Sequence, residues 1–153
     1  MKTVKILDTC TLINIFDGPD PDLKDALAGY DVVITDSVVT EYVCKIPRKI
    51  PEMVSVAGLD ESEHRLMDDL EYLFPGLALG ERSVMSKALS LVEKGYRVIA
   101  LTDDKKALKK LSNYSQDGIL ARDFPHCGEI VWCDKGALRD HHQRSINQSK
   151  IDL

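Results

Sequence analysis

Short apolar runs of β type, each followed at once by a segment of helical period, constrain this chain more than any other feature. Val4-Lys5-Ile6-Leu7 stops at Asp8. In Thr9–Phe16 the period changes, with Leu12, Ile13, Ile15 and Phe16 on one side of a short helix that Thr9 or Thr11 is suited to cap. Asp17-Gly18-Pro19-Asp20-Pro21 is dense punctuation, and Asp22 to Leu27 makes another helical turn or two. Asp31–Thr35 reads as a second buried strand, after which Asp36 or Ser37 caps a helix through Val38, Val39, Glu41, Tyr42 and Val43. Pro47 and Pro51 prevent its continuation.

Glu52 to Ala57 is a short edge-strand candidate. Asp60 opens a helix with Leu66, Met67, Leu70 and Leu73 as its apolar stripe, ended by Pro75 and Gly76. The strongest helix starts at Gly80-Glu81, carries Val84, Met85, Ala88, Leu89, Leu91 and Val92 at helical spacing, and ends at Gly95. Arg97–Thr102 is a third strand running into Asp103-Asp104, with a helix from Lys105 to about Leu111. Ile119–Ala121 and Glu129–Trp132 are short strand candidates before a polar helix or tail. This alternation predicts an α/β sandwich with a mainly parallel central sheet.

At 153 residues the chain suits one domain with a core large enough to fold without disulfides or structural metal. Its hydrophobic share of 44% and charged share of 29% exclude disordered, collagenous and coiled-coil chains. No apolar run approaches the roughly 20 residues that span a bilayer. A lysine within the first apolar run, and no cleavage site, argue against a secretion signal. Four irregularly spaced cysteines, Cys10, Cys44, Cys127 and Cys133, fit a reducing cytoplasm. The net charge of −5 means that binding nucleic acid requires a local basic surface.

Acids punctuate these elements in a consistent way. Asp8 ends the first strand, Glu41 lies about one turn into the helix after the second, Glu81 begins the long helix, and Asp103 and Asp104 end the third strand. Functional groups of open α/β sheets gather at the carboxyl ends of strands, so four segments can deliver carboxylates to one place. Two carboxylates about 5 Å apart repel by roughly 3 kcal/mol at an effective dielectric near 20. Clustered oxygens of this kind suit a hard divalent ion such as Mg²⁺ or Mn²⁺. Singly, each has a plainer role: Glu81 can stabilise a helix N-terminus, and Asp103 or Asp104 can cap the helix that follows. Glu41 among valines has no such role.

Those residues resemble a known family. Val4–Ile13, with its strand, aspartate, small polar residue and apolar helix, is similar to the opening of PIN-domain nucleases. Ile34–Glu41 is similar to the family's second motif. Leu79-Gly80-Glu81 with Ala88-Leu89, then Val98–Ala107, resembles a branch with a Gly-Glu helix and a terminal Asp-Asp pair. The match runs over roughly residues 3–111 and departs from the family at Cys10, where serine or asparagine is common, and at Ser83, where a second acid is common. From Phe124 onward nothing matches, so the expectation is one PIN-like domain over 1–153, with 124–153 a C-terminal extension of unknown role.

The resemblance implies a three-layer α/β/α fold and a metal-dependent endoribonuclease, often the toxin of a toxin–antitoxin pair. Asp8, Glu81 and Asp104 are the expected Mg²⁺ or Mn²⁺ ligands, Asp103 a helper or alternate, and Glu41 a ligand or the group that positions water. Thr9, Thr11 and Thr102 are close enough in sequence to bond a carboxylate or phosphate. Lys45, Arg48 and Lys49, and Lys105, Lys106, Lys109 and Lys110, form two basic clusters for drawing in RNA, although such runs are commonly solvated helix faces. The partners considered are RNA, an antitoxin and a second copy of the chain, with no membrane.

Zinc is disfavoured: His126, Cys127, Cys133, His141 and His142 fit no finger spacing. Phe124, Ile130, Val131 and Trp132 read as packing. The competing readings are a PIN-like interaction module without catalysis and, last, a haloacid-dehalogenase-like phosphatase, whose Asp-x-Asp opening is missing at Asp8-Thr9-Cys10. No P-loop or Gly-x-Gly-x-x-Gly fingerprint occurs.

Overall fold

Parallel strands bury both faces under their crossover helices, which is why they appear in sequence as nearly unbroken apolar runs. The computed structural model describes residues 2–19, 22–46, 49–109 and 130–133. Its strands are β1 (Thr3–Leu7), β2 (Asp31–Thr35), β3 (Val54–Ala57), β4 (Arg97–Leu101) and β5 (Ile130–Cys133). They form one sheet in the order β3-β2-β1-β4-β5, and every pairing is parallel. The architecture is a three-layer α/β/α sandwich with a wholly parallel sheet among the described residues. Glu52–Ala57 does supply an edge strand, shortened to β3.

The helices are α1 (Thr9–Phe16), α2 (Asp22–Asp25), α3 (Asp36–Lys45), α4 (Glu61–Leu73) and α5 (Leu79–Glu93), with residues 105–109 also helical. Two caps differ from expectation. Asp8, and neither Thr9 nor Thr11, caps α1: its backbone is extended and its carboxylate accepts the Thr11 N–H at 2.9 Å. Thr35, in place of Asp36 or Ser37, caps α3 through the Val38 N–H. In both cases the last extended residue of the strand path already carries an acceptor, so the helix starts one residue earlier. Asp60 caps α4 as expected, in a reciprocal pair with Glu63. Gly95, at φ +95°, makes the left-handed turn that releases α5 into β4.

The core runs through Ile6, Leu7, Leu12, Ile34, Val38, Leu70, Phe74, Met85, Val98 and Leu101, all at most 1% exposed. Lys5 is buried with them, donating to the Ala26 carbonyl at 3.0 Å with its ammonium 3.6 Å from the Tyr30 ring centroid. On α5, Lys87 forms a buried ion pair with Glu63 of α4 at 2.7 Å. β5 pairs with β4 from Val98↔Ile130 to Leu101↔Cys133. Residues 130–133 therefore belong to the sheet, and the sequence boundary at 124 does not detach everything beyond it from the fold. Trp132 packs against the core as expected; Phe124 and Ile119–Ala121 lie outside the described residues. Among the described residues no helix is long and apolar enough to cross a membrane.

From β1 the chain steps outward to β2 and β3, then returns past β1 to β4 and on to β5. The two directions part between β1 and β4. In an open α/β sheet that parting leaves a crevice beyond the carboxyl ends of the two strands.

Candidate functional site

Asp8 follows β1 and Thr102-Asp103-Asp104 follow β4, so the topology alone puts them on the two lips of that crevice. The register continues one residue past the strands, with the Asp8 N–H donating to the Leu101 carbonyl at 3.1 Å. Asp8 is 3% exposed. Its Oδ1 accepts from the Thr11 backbone and its Oδ2 from the Thr102 hydroxyl. Burial pushes the Asp8 carboxyl above its usual value, the Thr102 and Thr11 donors oppose this, and the nearby Asp103 charge adds to it.

The other acids arrive from α3 and α5. Glu41, half-buried, accepts from the Thr9 hydroxyl at 2.8 Å. Its carboxylate rests against the first turn of α5: a Cβ on Gly80 would stand 2.5 Å from Glu41 Oε1. Glu81 follows in the same turn and accepts the Ala78 N–H at 3.0 Å. The Glu81 carboxyl is raised by burial first, then by the charges of Asp8 and Asp104, with Glu41 adding and the Ala78 N–H opposing. The fold thus brings Glu81 within electrostatic reach of Asp8, Asp104 and Glu41, and Asp8 within reach of Asp103.

Asp103 and Asp104 differ in what holds them. Asp103 accepts from the Asn14 side-chain amide of α1. Asp104 Oδ1 accepts the Lys106 and Ala107 backbone N–H groups at 3.0 and 3.2 Å, so it does cap the helix that follows. That plainer role leaves Oδ2 of an exposed carboxylate available. Among the described residues no group of three or more His, Cys, Asp and Glu is drawn tightly enough to hold a metal ion. The donor chemistry, hard carboxylate oxygens around a low-dielectric lip, fits Mg²⁺ or Mn²⁺.

The remaining sequence candidates separate into two groups. Thr9 and Thr11, expected at a substrate, are buried at 4% and 0% exposure. The Thr9 hydroxyl serves Glu41, and the Thr11 side chain lies close enough to Asp8 to lower its pKa. Their burial follows from sitting in the first turn of α1, where both side chains face the interior. Lys45, Lys49, Lys105 and Lys106 are exposed, whereas Arg48 and Lys110 lie outside the described residues. Lys45 is near enough to Cys10 to oppose the rise in the thiol's pKa that burial, and the charges of Asp8, Glu81 and Asp104, produce. Cys10 and Cys44 are exposed free thiols, and Cys133 is half-buried. Cys127 and the three histidines beyond residue 125 lie outside the described residues.

Asn14 and the buried Thr35–Ser83 pair, 2.6 Å apart, were not singled out as site residues by the sequence. An amide between Ile13 and Ile15 on an apolar helix, and a serine where the resembled family carries an acid, were the available signals. No protein-family model matches the chain, and no curated protein matches its sequence.

Proposed function

We propose that this chain is a PIN-like endoribonuclease that hydrolyses RNA phosphodiester bonds with Mg²⁺ or Mn²⁺, acting in the cytoplasm as the toxin of a toxin–antitoxin pair. The observation that carries the reading is the meeting of Asp8 with Asp103-Asp104 at the β1–β4 parting, with Glu41 and Glu81 brought to the same lip. Gathering five acids there carries a cost in the absence of a cation: the Asp8 carboxyl is raised by burial and by the charge of Asp103, and that of Glu81 by burial and by the charges of Asp8, Asp104 and Glu41.

Asp8, Glu81 and Asp104 are the proposed ligands, with Asp103 as helper. A bound divalent ion would supply charge neutralisation at the phosphate and a lowered pKa for its water. Glu41, oriented by Thr9, positions the attacking water, whose oxygen gives up a proton and bonds to phosphorus as the bond from phosphorus to the leaving ribose oxygen breaks and that oxygen takes up a proton. Lys45, Arg48, Lys49, Lys105 and Lys106 are the proposed cations that draw RNA toward an otherwise repulsive acidic site. An antitoxin and a second copy of the chain are the protein partners in this reading.

One observation favours the non-catalytic interaction module: Asp103 and Asp104 each already have a structural bond, to Asn14 and to the helix start. Calorimetric titration of the purified chain with Mn²⁺ separates the two. The nuclease reading expects binding that Asp8→Asn removes; no heat of binding in the wild type favours the module.

A further inference from the structure

Thr35 and Ser83 are 48 positions apart in the chain and both wholly buried, yet their hydroxyl oxygens are 2.6 Å apart. Their neighbours orient the protons. The Ser83 O–H donates to the Gly80 carbonyl at 2.7 Å, and Thr35 Oγ1 accepts the Val38 N–H at 3.4 Å. The Thr35 proton therefore lies on the shared bond, and Ser83 Oγ accepts it.

This bond joins two elements that carry acids. Thr35 ends β2 and caps α3, which holds Glu41; Ser83 lies in the opening turn of α5, which holds Gly80 and Glu81. The Ser83-to-Gly80 bond extends the connection to the residue lying against Glu41, where a Cβ would meet Oε1 at 2.5 Å. A shift of the α5 turn moves Glu81 relative to Asp8 and changes the space beside Glu41. An apolar pair would fill the same space, but without a direction, since dispersion contacts tolerate sliding that a hydrogen bond does not.

We propose that the Thr35–Ser83 hydroxyl pair is a positioning device that holds the first turn of α5, and with it Glu81, in register with Glu41 and Asp8 for metal binding. The assignment rests on the proposed function. Ser83 thus replaces the second acid of the resembled family with a tether.

The test compares Ser83→Ala, the double variant Thr35→Val/Ser83→Ala, and the conservative Thr35→Ser. Replacing both buried partners by apolar groups of similar shape leaves neither hydroxyl of the shared bond unpaired, so a purely structural role predicts that the double variant regains the Mn²⁺ binding that Ser83→Ala loses. Thr35→Val also removes the α3 cap, so the double variant stays below wild type in urea stability, and the positioning role predicts that its Mn²⁺ affinity is about tenfold weaker than wild type, the scale of loss for groups that orient ligands. Thr35→Ser keeps the hydroxyl and should bind as the wild type does. Wild-type Mn²⁺ affinity in the double variant overturns the inference. A wild type with no Mn²⁺ affinity overturns the proposed function, and amide exchange on the metal-free protein then decides the tether alone. Faster exchange in Ser83→Ala confined to residues 79–83 supports it, and unchanged exchange there refutes it.

Discussion

The Thr102 hydroxyl donates to Oδ2 of Asp8 across the parting between β1 and β4. Through this bond the end of one strand holds the carboxylate delivered by its neighbour, and the carboxylate's other oxygen is meanwhile fixed by the start of α1. A buried acid held at both oxygens has its orientation set before any ligand arrives, which is the arrangement a precise binding site requires.

Thr102→Val should therefore cost about 1.5–3 kcal/mol of stability at neutral pH, the range for a hydrogen bond to a charged group. The loss should shrink as the pH falls and Asp8 takes up its proton, because Thr102 favours the ionised form. Urea denaturation at several pH values measures both. A pH-independent loss would contradict the assignment.

The metal-free protein should lose stability as pH rises above the ordinary carboxylate range. Asp8 and Glu81 both have folded values above their usual 3.8 and 4.5. Between those values and the raised folded ones, the native state holds more protons than the unfolded chain, so unfolding becomes easier with rising pH. Asp60 is displaced the other way, its carboxyl lowered chiefly by the Glu63 N–H, and its contribution is lost only below 3.8. Asp8→Asn should flatten the slope above 4.5, as followed by melting temperature against pH. An unchanged slope would show that Asp8 is not its source.

The sheet was legible because parallel strands buried on both faces write themselves as runs such as Val98–Leu101. Four of the acids were legible because they stand at a strand end or helix start, and Glu41 because it interrupts the apolar side of α3. What escaped is non-local or finely local. Asn14 and Asp103 are 89 positions apart and Thr35 and Ser83 are 48 apart, and no periodicity signals a single hydrogen bond. Asp8, Thr9 and Thr11 are all good caps by residue type, and only the backbone shows which of them leaves the helix. Nothing local in Val4–Leu7 shows that the Ala26 carbonyl and the Tyr30 ring close over Lys5.

That lysine yields a separate prediction. Burial lowers its pKa from 10.5 to about 8, so the folded state binds fewer protons than the unfolded chain between those values. Stability from this group is least below pH 8 and rises as pH climbs toward 10.5. Lys5→Met, which fills the same space without the charge, should abolish this alkaline gain and leave stability at pH 7 equal to or above wild type. A marked loss at pH 7 would mean that the Ala26 and Tyr30 contacts outweigh the cost of burial.

Gly80→Ala should separate folding from chemistry. Alanine is favoured over glycine in helices by up to about 1 kcal/mol, but its Cβ would stand 2.5 Å from Glu41 Oε1. The carboxylate must yield, against its bond from Thr9. Stability within about 1 kcal/mol of wild type, with RNA cleavage about a hundredfold slower, is the expected pair of results. Unimpaired cleavage would remove Glu41 from the mechanism.

Cleavage of single-stranded RNA at low salt, with and without Mn²⁺, by the wild type and Asp104→Asn tests the central claim most directly. Asparagine is as good a cap as aspartate, so its side-chain oxygen can still accept from Lys106 and Ala107, and the variant should fold, as circular dichroism and melting would verify. The wild type should cut only with Mn²⁺, and the folded variant should not cut at all. Metal-independent cutting, or full activity in Asp104→Asn, would contradict it.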